Sequence, residues 1–174
     1  MLRGFLNIDI NLLRNPDLWL DVRRGLPLQN ESVSFIYTSH TIEHLSLSEI
    51  GRLLSECHRV LENGASIRIV VPDLAKAIAA YAGRDVDWFV DFPHRFRSLG
   101  GKFANYILCD AQHKCAFDHE FLEELLCAAD FCDVKAMALG ESGAPSHYWP
   151  DLAGHEEKAL DNRSLFVEAK KMVK

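Results

Sequence analysis

Hydrophobic and polar residues recur along the chain with two different periods, and their order predicts a strand–helix–strand unit over residues 32–73. β-Branched and aromatic residues cluster at 33–37, which predicts a first strand. Apolar residues then recur every three or four positions over 50–61, which predicts a helix with one apolar face. A second β-branched run at 67–71 predicts the second strand.

Local signals mark the ends of this helix. Ser46 precedes Glu49 by three residues, a capping-box pattern that predicts the helix start, and Asn63-Gly64 predicts its end. A unit this compact implies parallel strands joined by a right-handed crossover. Ligands of such sheets lie beyond the carboxyl ends of the strands, which here are the polar runs 38–40 and 72–74.

The remaining pattern predicts further elements on both sides of this unit, all within a single domain of residues 1–174. We therefore expect an α/β fold with a mostly parallel sheet and a C-terminal antiparallel hairpin. The predicted elements are strands at 5–10 and 18–22, helices at 74–81 and 120–129, and an antiparallel strand pair at 134–139 and 164–170.

Residues 83–118 form an irregular insertion whose first part is rich in aromatic side chains. Insertions at the carboxyl end of a sheet often cover a substrate, so a lid is one interpretation. A small aromatic core that packs beside the main one is the other.

Composition and charge narrow the classes of partner. The chain has 174 residues with a net charge of −6, and no basic stripe is present, which disfavours a nucleic-acid partner. No apolar run is long enough to cross a membrane, and the polar N-terminus does not resemble a signal peptide. The five cysteines include no CxxC pair, which favours a reducing compartment, and we expect a cytoplasmic protein.

The sharpest local motif is His40-Thr41-Ile42-Glu43-His44. H-x-x-E-H occurs in inverted zinc metallopeptidases, where both histidines share one face of a long helix and the glutamate acts as the base. Here the motif follows a strand directly and precedes the capping box, so we expect a loop and no stoichiometric zinc at His40 and His44. A purely structural role, in which Glu43 and His44 brace the loop, is the simplest alternative.

A second group of metal-ligand residue types occurs at Cys109, His113, Cys115 and His119. Its spacing matches no common zinc pattern. We therefore predict no metal site from these residues.

Three stretches carry a family resemblance, and they read LPLQNESVSFIYTSHTIEHL, ECHRVLENG and SIRIVVPDL. In this order they resemble the second half of a class I S-adenosylmethionine-dependent methyltransferase of a bacterial branch. The resemblance extends to residues 7–10 upstream, and to 113–117 and 164–170 downstream. It implies the fold described above and methyl transfer from S-adenosylmethionine.

The resemblance also assigns residues to a cofactor site. Asp9 matches the acidic residue that binds the ribose hydroxyls, although an Asx turn explains an aspartate there equally well. Asp21 matches the acidic residue beside the adenine amino group. Ser39 begins the loop, running to His44, that lines the boundary between cofactor and substrate.

Candidate bases follow from the same resemblance. His113 precedes Phe117-Asp118 as in the family, where the histidine points into the active site and Asp118 caps the next helix. His40, His44 and His113 are the candidate bases because imidazole titrates near neutral pH, and Glu43 is the residue that would orient one of them.

The chain departs from the family at its front, since no glycine-rich loop precedes Asn7 and Gly4 stands alone. It therefore resembles a methyltransferase that begins at its second strand. Without that loop we expect weak or undetectable binding of S-adenosylmethionine by the 174-residue chain. The lost strand predicts either that the 5–10 strand pairs with the 32–38 strand or that a second copy supplies backbone partners as a homodimer.

Three functions follow from these observations. The first is methyl transfer to a small molecule or a saccharide, and the sequence leaves open whether the 174-residue chain is active. The second is a catalytically inactive methyltransferase-like protein that binds a partner or ligand. The third is a zinc hydrolase using His40-x-x-Glu43-His44.

Overall fold

The computed structural model describes residues 4–143 and 163–172, together with 2, 152, 153 and 156. None of the helices in these ranges is both long and apolar enough to cross a membrane. The strands are Ile8–Asp9 (β1), Leu18–Trp19 (β2), Val33–Ser39 (β3), Leu61–Pro72 (β4), Phe131–Met137 (β5) and Ser164–Lys171 (β6). The helices are Leu47–Val60 (α1), Leu74–Ala82 (α2), Leu99–Leu108 (α3) and His119–Ala128 (α4), with 3₁₀ turns at Leu12–Arg14, Val22–Arg24 and Ile42–His44.

The main sheet has four strands in the order β3-β4-β6-β5. β3 runs parallel to β4, whereas β6 is antiparallel to both of its neighbours, β4 and β5. Three of the four strands therefore point the same way, and the C-terminal strand pair is antiparallel. The predicted α/β fold, with a mostly parallel sheet and an antiparallel hairpin, is confirmed.

β1 and β2 form a separate parallel ladder, with Ile8 opposite Leu18 and Asp9 opposite Trp19. Both strands are shorter than predicted, and the second stops early because Asp21 caps the 3₁₀ turn that follows it. In the ladders described for this chain, β1 pairs with β2, and β3 pairs with β4. The predicted pairing of the N-terminal strand with β3 is therefore wrong for these residues, and the homodimer stays a prediction.

α1 begins as predicted but ends earlier. The Ser46 amide donates to the Glu49 carboxylate over 2.7 Å, which completes the capping box. The helix ends at Val60, and the predicted stop at Asn63-Gly64 is wrong because these residues lie within β4. Burial of Leu61 in the core carries the chain straight into the sheet, and the turn residues form a bulge in which Gly64 has a φ of 77°.

The main core lies between the sheet and helices α1 and α4, whose apolar faces pack on it. A second, smaller cluster joins α2 to the aromatic insertion around Phe89. The insertion therefore forms the aromatic core that was one of the two interpretations. Its action as a substrate lid stays a prediction.

A buried ion cluster crosses the sheet. The Arg68 guanidinium donates to both carboxylate oxygens of Glu156 and to Glu168, each over 2.8 Å, and neither Arg68 nor Glu156 is exposed. Arg68 lies opposite Glu168 in the β4–β6 ladder. The sequence carried one signal for this cluster, because Arg68 interrupts the apolar run of β4 and Glu168 interrupts that of β6.

Candidate active site at the carboxyl end of β3

The chain turns sharply where β3 ends. His40 has a φ of 48°, in the left-handed region, and its amide still donates to the Val70 carbonyl over 2.9 Å. Ile42 is buried and fixes the next turn to the core, so residues 42–44 form one 3₁₀ turn. The H-x-x-E-H motif is therefore a strand-end loop, as the sequence predicted, and not part of a long helix.

A second loop packs against this turn from the end of α3. Cys109, Asp110 and Ala111 all have positive φ angles, between 45° and 60°, and reverse the chain within three residues. The amides of Lys114 and Cys115 then donate to the Glu43 carbonyl over 2.7 and 3.2 Å. These backbone bonds hold the His113 segment beside the motif.

The two loops bring His44 and His113 into contact. Their ring centroids are 4.9 Å apart in an edge-to-face arrangement. His44 Nδ1 lies 3.1 Å from the Gln112 carbonyl, and His113 Nδ1 lies 3.1 Å from the Ile107 carbonyl. Because a carbonyl only accepts, each Nδ1 carries the proton and each Nε2 keeps its lone pair in the neutral ring. Burial lowers the pKa of His113, against the opposing attraction of Glu43.

Glu43 lies at the centre of this cluster with only 1% of its surface exposed. Within the described part of the chain, neither of its carboxylate oxygens has a hydrogen-bond partner. His40 Nδ1 lies 3.2 Å from Glu43 Oε1, near enough for an ion pair when the ring is protonated but not aligned as a hydrogen bond. The other His40 nitrogen, Nε2, lies 3.5 Å from the Ser164 hydroxyl. The structure thus brings together His40, Glu43, His44 and His113, the four candidate catalytic residues.

A cleft of about 620 Å³ runs along β3 and reaches the loop that follows it. The N-terminal segment forms one wall, β3 and the residues after it form another, and apolar side chains of α1 complete the lining. Asp9 and Ser39, two of the candidate cofactor residues, both line this cleft. One Asp9 oxygen accepts from the Asn11 amide over 2.7 Å, so the Asx turn is present as well.

The third candidate cofactor residue, Asp21, is engaged elsewhere. Arg23 binds both of its carboxylate oxygens, at 2.8 and 2.7 Å, and these bonds lower the pKa of Asp21 to about 2. Asp21 is absent from the residues that line the cleft. The pattern of Cys109, His113, Cys115 and His119 does not converge either, since His113 instead groups with Glu43 and His44 among the described residues.

Comparison with known proteins agrees with this fold. Residues 15–69 match the family model described as "Methyltransferase domain". A methyltransferase from Archaeoglobus fulgidus superposes with a TM-score of 0.57 at 18% identity, over 94% of this chain and 74% of that one. One from Methanosarcina mazei gives 0.52 at 17% identity, over 96% of this chain and 81% of that one. This chain therefore has the fold of the class I methyltransferases.

The same methyltransferase fold occurs in an enzyme of calicheamicin biosynthesis in its SAH-bound form, with a TM-score of 0.51 at 11% identity. The alignment covers 90% of this chain but 34% of that enzyme, and other similar structures are also covered by less than two thirds of their length. No curated protein matches the chain. These likenesses establish the fold and leave the reaction to be argued from the site.

Proposed function

We propose that this chain is an S-adenosylmethionine-dependent methyltransferase domain that acts on the hydroxyl group of a small molecule or a saccharide. The observation that carries the proposal is the cleft along β3, which reaches the carboxyl ends of β1 and β3 and has the Asp9 carboxylate and the Ser39 and Thr41 hydroxyls in its lining. Its volume of about 620 Å³ is that of a small-ligand pocket. Loops at this edge of a parallel sheet are the usual place for a ligand.

The polar residues of the cleft are suited to the ribose of the cofactor. The Asp9 carboxylate accepts hydrogen bonds, as a pair of ribose hydroxyls requires, and Ser39 and Thr41 add polar groups across the cleft. Gly4 also lines the cleft, but a Cβ added there would meet nothing within 4 Å, so no backbone cradle closes around it. This supports the expectation of weak binding. When bound, S-adenosylmethionine would supply an electrophilic methyl group.

His40 is the best-placed base for the acceptor hydroxyl. Its side chain is 40% exposed, whereas Glu43 beside it is buried. Glu43 lies on the Nδ1 side, which leaves Nε2, 3.5 Å from the Ser164 hydroxyl, as the nitrogen that would accept a proton. His44 and His113, the other candidates, each have Nδ1 bound to a backbone carbonyl.

The zinc hydrolase receives less support. In the H-x-x-E-H peptidases the two histidines lie one helical turn apart on the same face. Here the helical segment comprises residues 42–44 only, and His40 lies before it in a left-handed conformation. His40 and His44 do not form that helical pair.

Titration with S-adenosylhomocysteine, followed by NMR, tests the proposal on the full chain. We expect millimolar binding with chemical-shift changes confined to the cleft residues. The variant Asp9→Asn should weaken binding about tenfold or more, since a charge-assisted hydrogen bond contributes about 1.5–3 kcal/mol. Asp87→Asn, at an exposed aspartate of the insertion, is the control and should change nothing.

Two results would count against this assignment, and a third would count against the expectation of weak binding. No shift at saturating millimolar ligand would refute a cofactor site, and shifts outside the cleft would move the site elsewhere. Micromolar affinity would show that another segment replaces the glycine-rich loop and that the expectation of weak binding is wrong.

A further inference from the structure

The starting point is the unsatisfied carboxylate of Glu43. A carboxyl group removed from water loses its hydration, and this loss is costly unless hydrogen bonds or an opposite charge replace it. Glu43 is 1% exposed, and neither oxygen accepts a hydrogen bond from the described residues. Apart from His40 Nδ1, which lies 3.2 Å from Oε1 without forming a hydrogen bond, the described residues give this carboxylate none of the partners that its burial calls for.

Two imidazole rings beside Glu43 are arranged as ligands. His44 and His113 each have Nδ1 within hydrogen-bond distance of a backbone carbonyl, which directs the lone pair to Nε2. Histidines that bind metals commonly donate their other nitrogen to such a carbonyl, because this bond fixes both the tautomer and the ring orientation. One ligand atom each from Glu43, His44 and His113 lies within 4.8 Å of the other two.

We propose that Glu43, His44 and His113 bind one divalent transition-metal ion, with zinc as the ion best suited to this ligand set. Two imidazole nitrogens and one carboxylate oxygen match zinc in softness and number, and they leave a fourth position open. Ligand atoms of a tetrahedral zinc ion, each about 2.1 Å from the metal, lie roughly 3.4 Å apart. Side-chain rotations that move the ligand atoms by about an ångström would therefore bring them to coordinating distance.

This site differs from the zinc site considered for the sequence motif. His40 is not a ligand here, and the third ligand comes from the loop after α3, about 70 residues away along the chain. Sequence spacing therefore could not suggest it. The proposal is independent of methyl transfer, because it concerns a bound ion and requires no cofactor.

Metal titration of the full chain tests the site without S-adenosylmethionine. After removal of metal with a chelator, we expect one Zn²⁺ per chain by calorimetry. Co²⁺ should give the visible absorption of a four-coordinate site. The variants Glu43→Gln, His44→Ala and His113→Ala should each weaken zinc binding at least about a hundredfold, since a lost ligand exceeds the 10–100-fold effect of its supporting partners. His94→Ala, at an exposed histidine of the insertion, should bind as the parent does.

Further measurements separate other sources of binding. Cys109→Ser and Cys115→Ser should retain the site, and the Co²⁺ complex should lack thiolate charge-transfer bands. Zn²⁺ should raise the melting temperature of the parent chain but not that of His113→Gln, and circular dichroism shows whether each variant folds. If the parent binds no zinc, or if His113→Gln gains as much thermal stability from zinc as the parent, the proposal is wrong.

Discussion

Arg68 illustrates how one residue in the sheet interior depends on distant partners. Its guanidinium is fully buried and binds two carboxylates, one on β6 and one at Glu156. A buried pair adds little net stability relative to apolar residues, but removal of one member leaves the others charged and unpaired. The cluster is therefore sensitive to single substitutions.

Replacement of this arginine by methionine should destabilise the fold strongly. We expect Arg68→Met to lower the free energy of unfolding by about 3–5 kcal/mol in urea, because two buried carboxylates lose their counter-charge. Arg52→Met, at an exposed arginine of α1, should change it by about 0.5 kcal/mol or less. A loss below about 1 kcal/mol for Arg68→Met would mean that the carboxylates find other partners.

Residue-scale signals were predictable where they act locally. The capping box of Ser46 and Glu49 and the Asp118 cap, which accepts from the Phe121 amide over 2.9 Å, depend on neighbours within one helical turn. The ion cluster of Arg68 depends on strand register, and the contact between the His44 and His113 rings depends on two loops meeting. The spacing of residues along the chain predicts neither of these contacts.

Among the elements, α1 shows how a helix holds the chain that precedes β3. Near its C-terminal end, Glu56 accepts from both Arg59 and the Leu26 amide, and Arg59 donates to the Leu26 and Leu28 carbonyls. The end of α1 at Val60, earlier than predicted, is also decided at the level of the element. Asn63-Gly64 has the residues of a helix terminus, yet core burial of Leu61 places this pair in a strand bulge.

This anchoring predicts a pH dependence. The bond from Arg59, aided by the Leu26 amide, lowers the pKa of Glu56 from 4.5 to about 2. Because the folded-state pKa is depressed, the stabilisation is complete above pH 4.5 and is lost as the pH falls toward 2. Thermal melts across this window should show a smaller acid-induced decrease for Glu56→Gln than for the parent. The exposed Glu62→Gln serves as the control, and equal slopes for Glu56→Gln and the parent would contradict the assignment.

At the scale of the whole molecule, the described strands form two sheets that no described ladder joins. Sequence order predicted the parallel β3–β4 pair correctly because strand, helix and strand follow one another closely, and the hydrophobic pattern predicted the antiparallel β5–β6 pair. It could not fix the position of β1 and β2, since their pairing with each other and their separation from β3 depend on long-range contacts that no local pattern encodes.

A homodimer is the expected assembly. The N-terminal segment also exposes large apolar side chains, including Leu13 at 94% and Leu12 at 63%. Sedimentation equilibrium should give twice the chain mass, and Leu13→Glu should shift the population toward monomer. A monomer over the whole accessible concentration range would remove the homodimer from consideration.

The link between His113 and α3 has a consequence for heating. His113 Nδ1 is held by the carbonyl of Ile107 in the last turn of α3, and α3, itself part of the insertion, packs in the small aromatic cluster with α2 rather than on the main core. The small cluster buries less apolar surface than the sheet core, so it opens at a lower free-energy cost. Warming would then release the His113 ring while the sheet is still folded. Loss of zinc binding would therefore precede unfolding of the sheet.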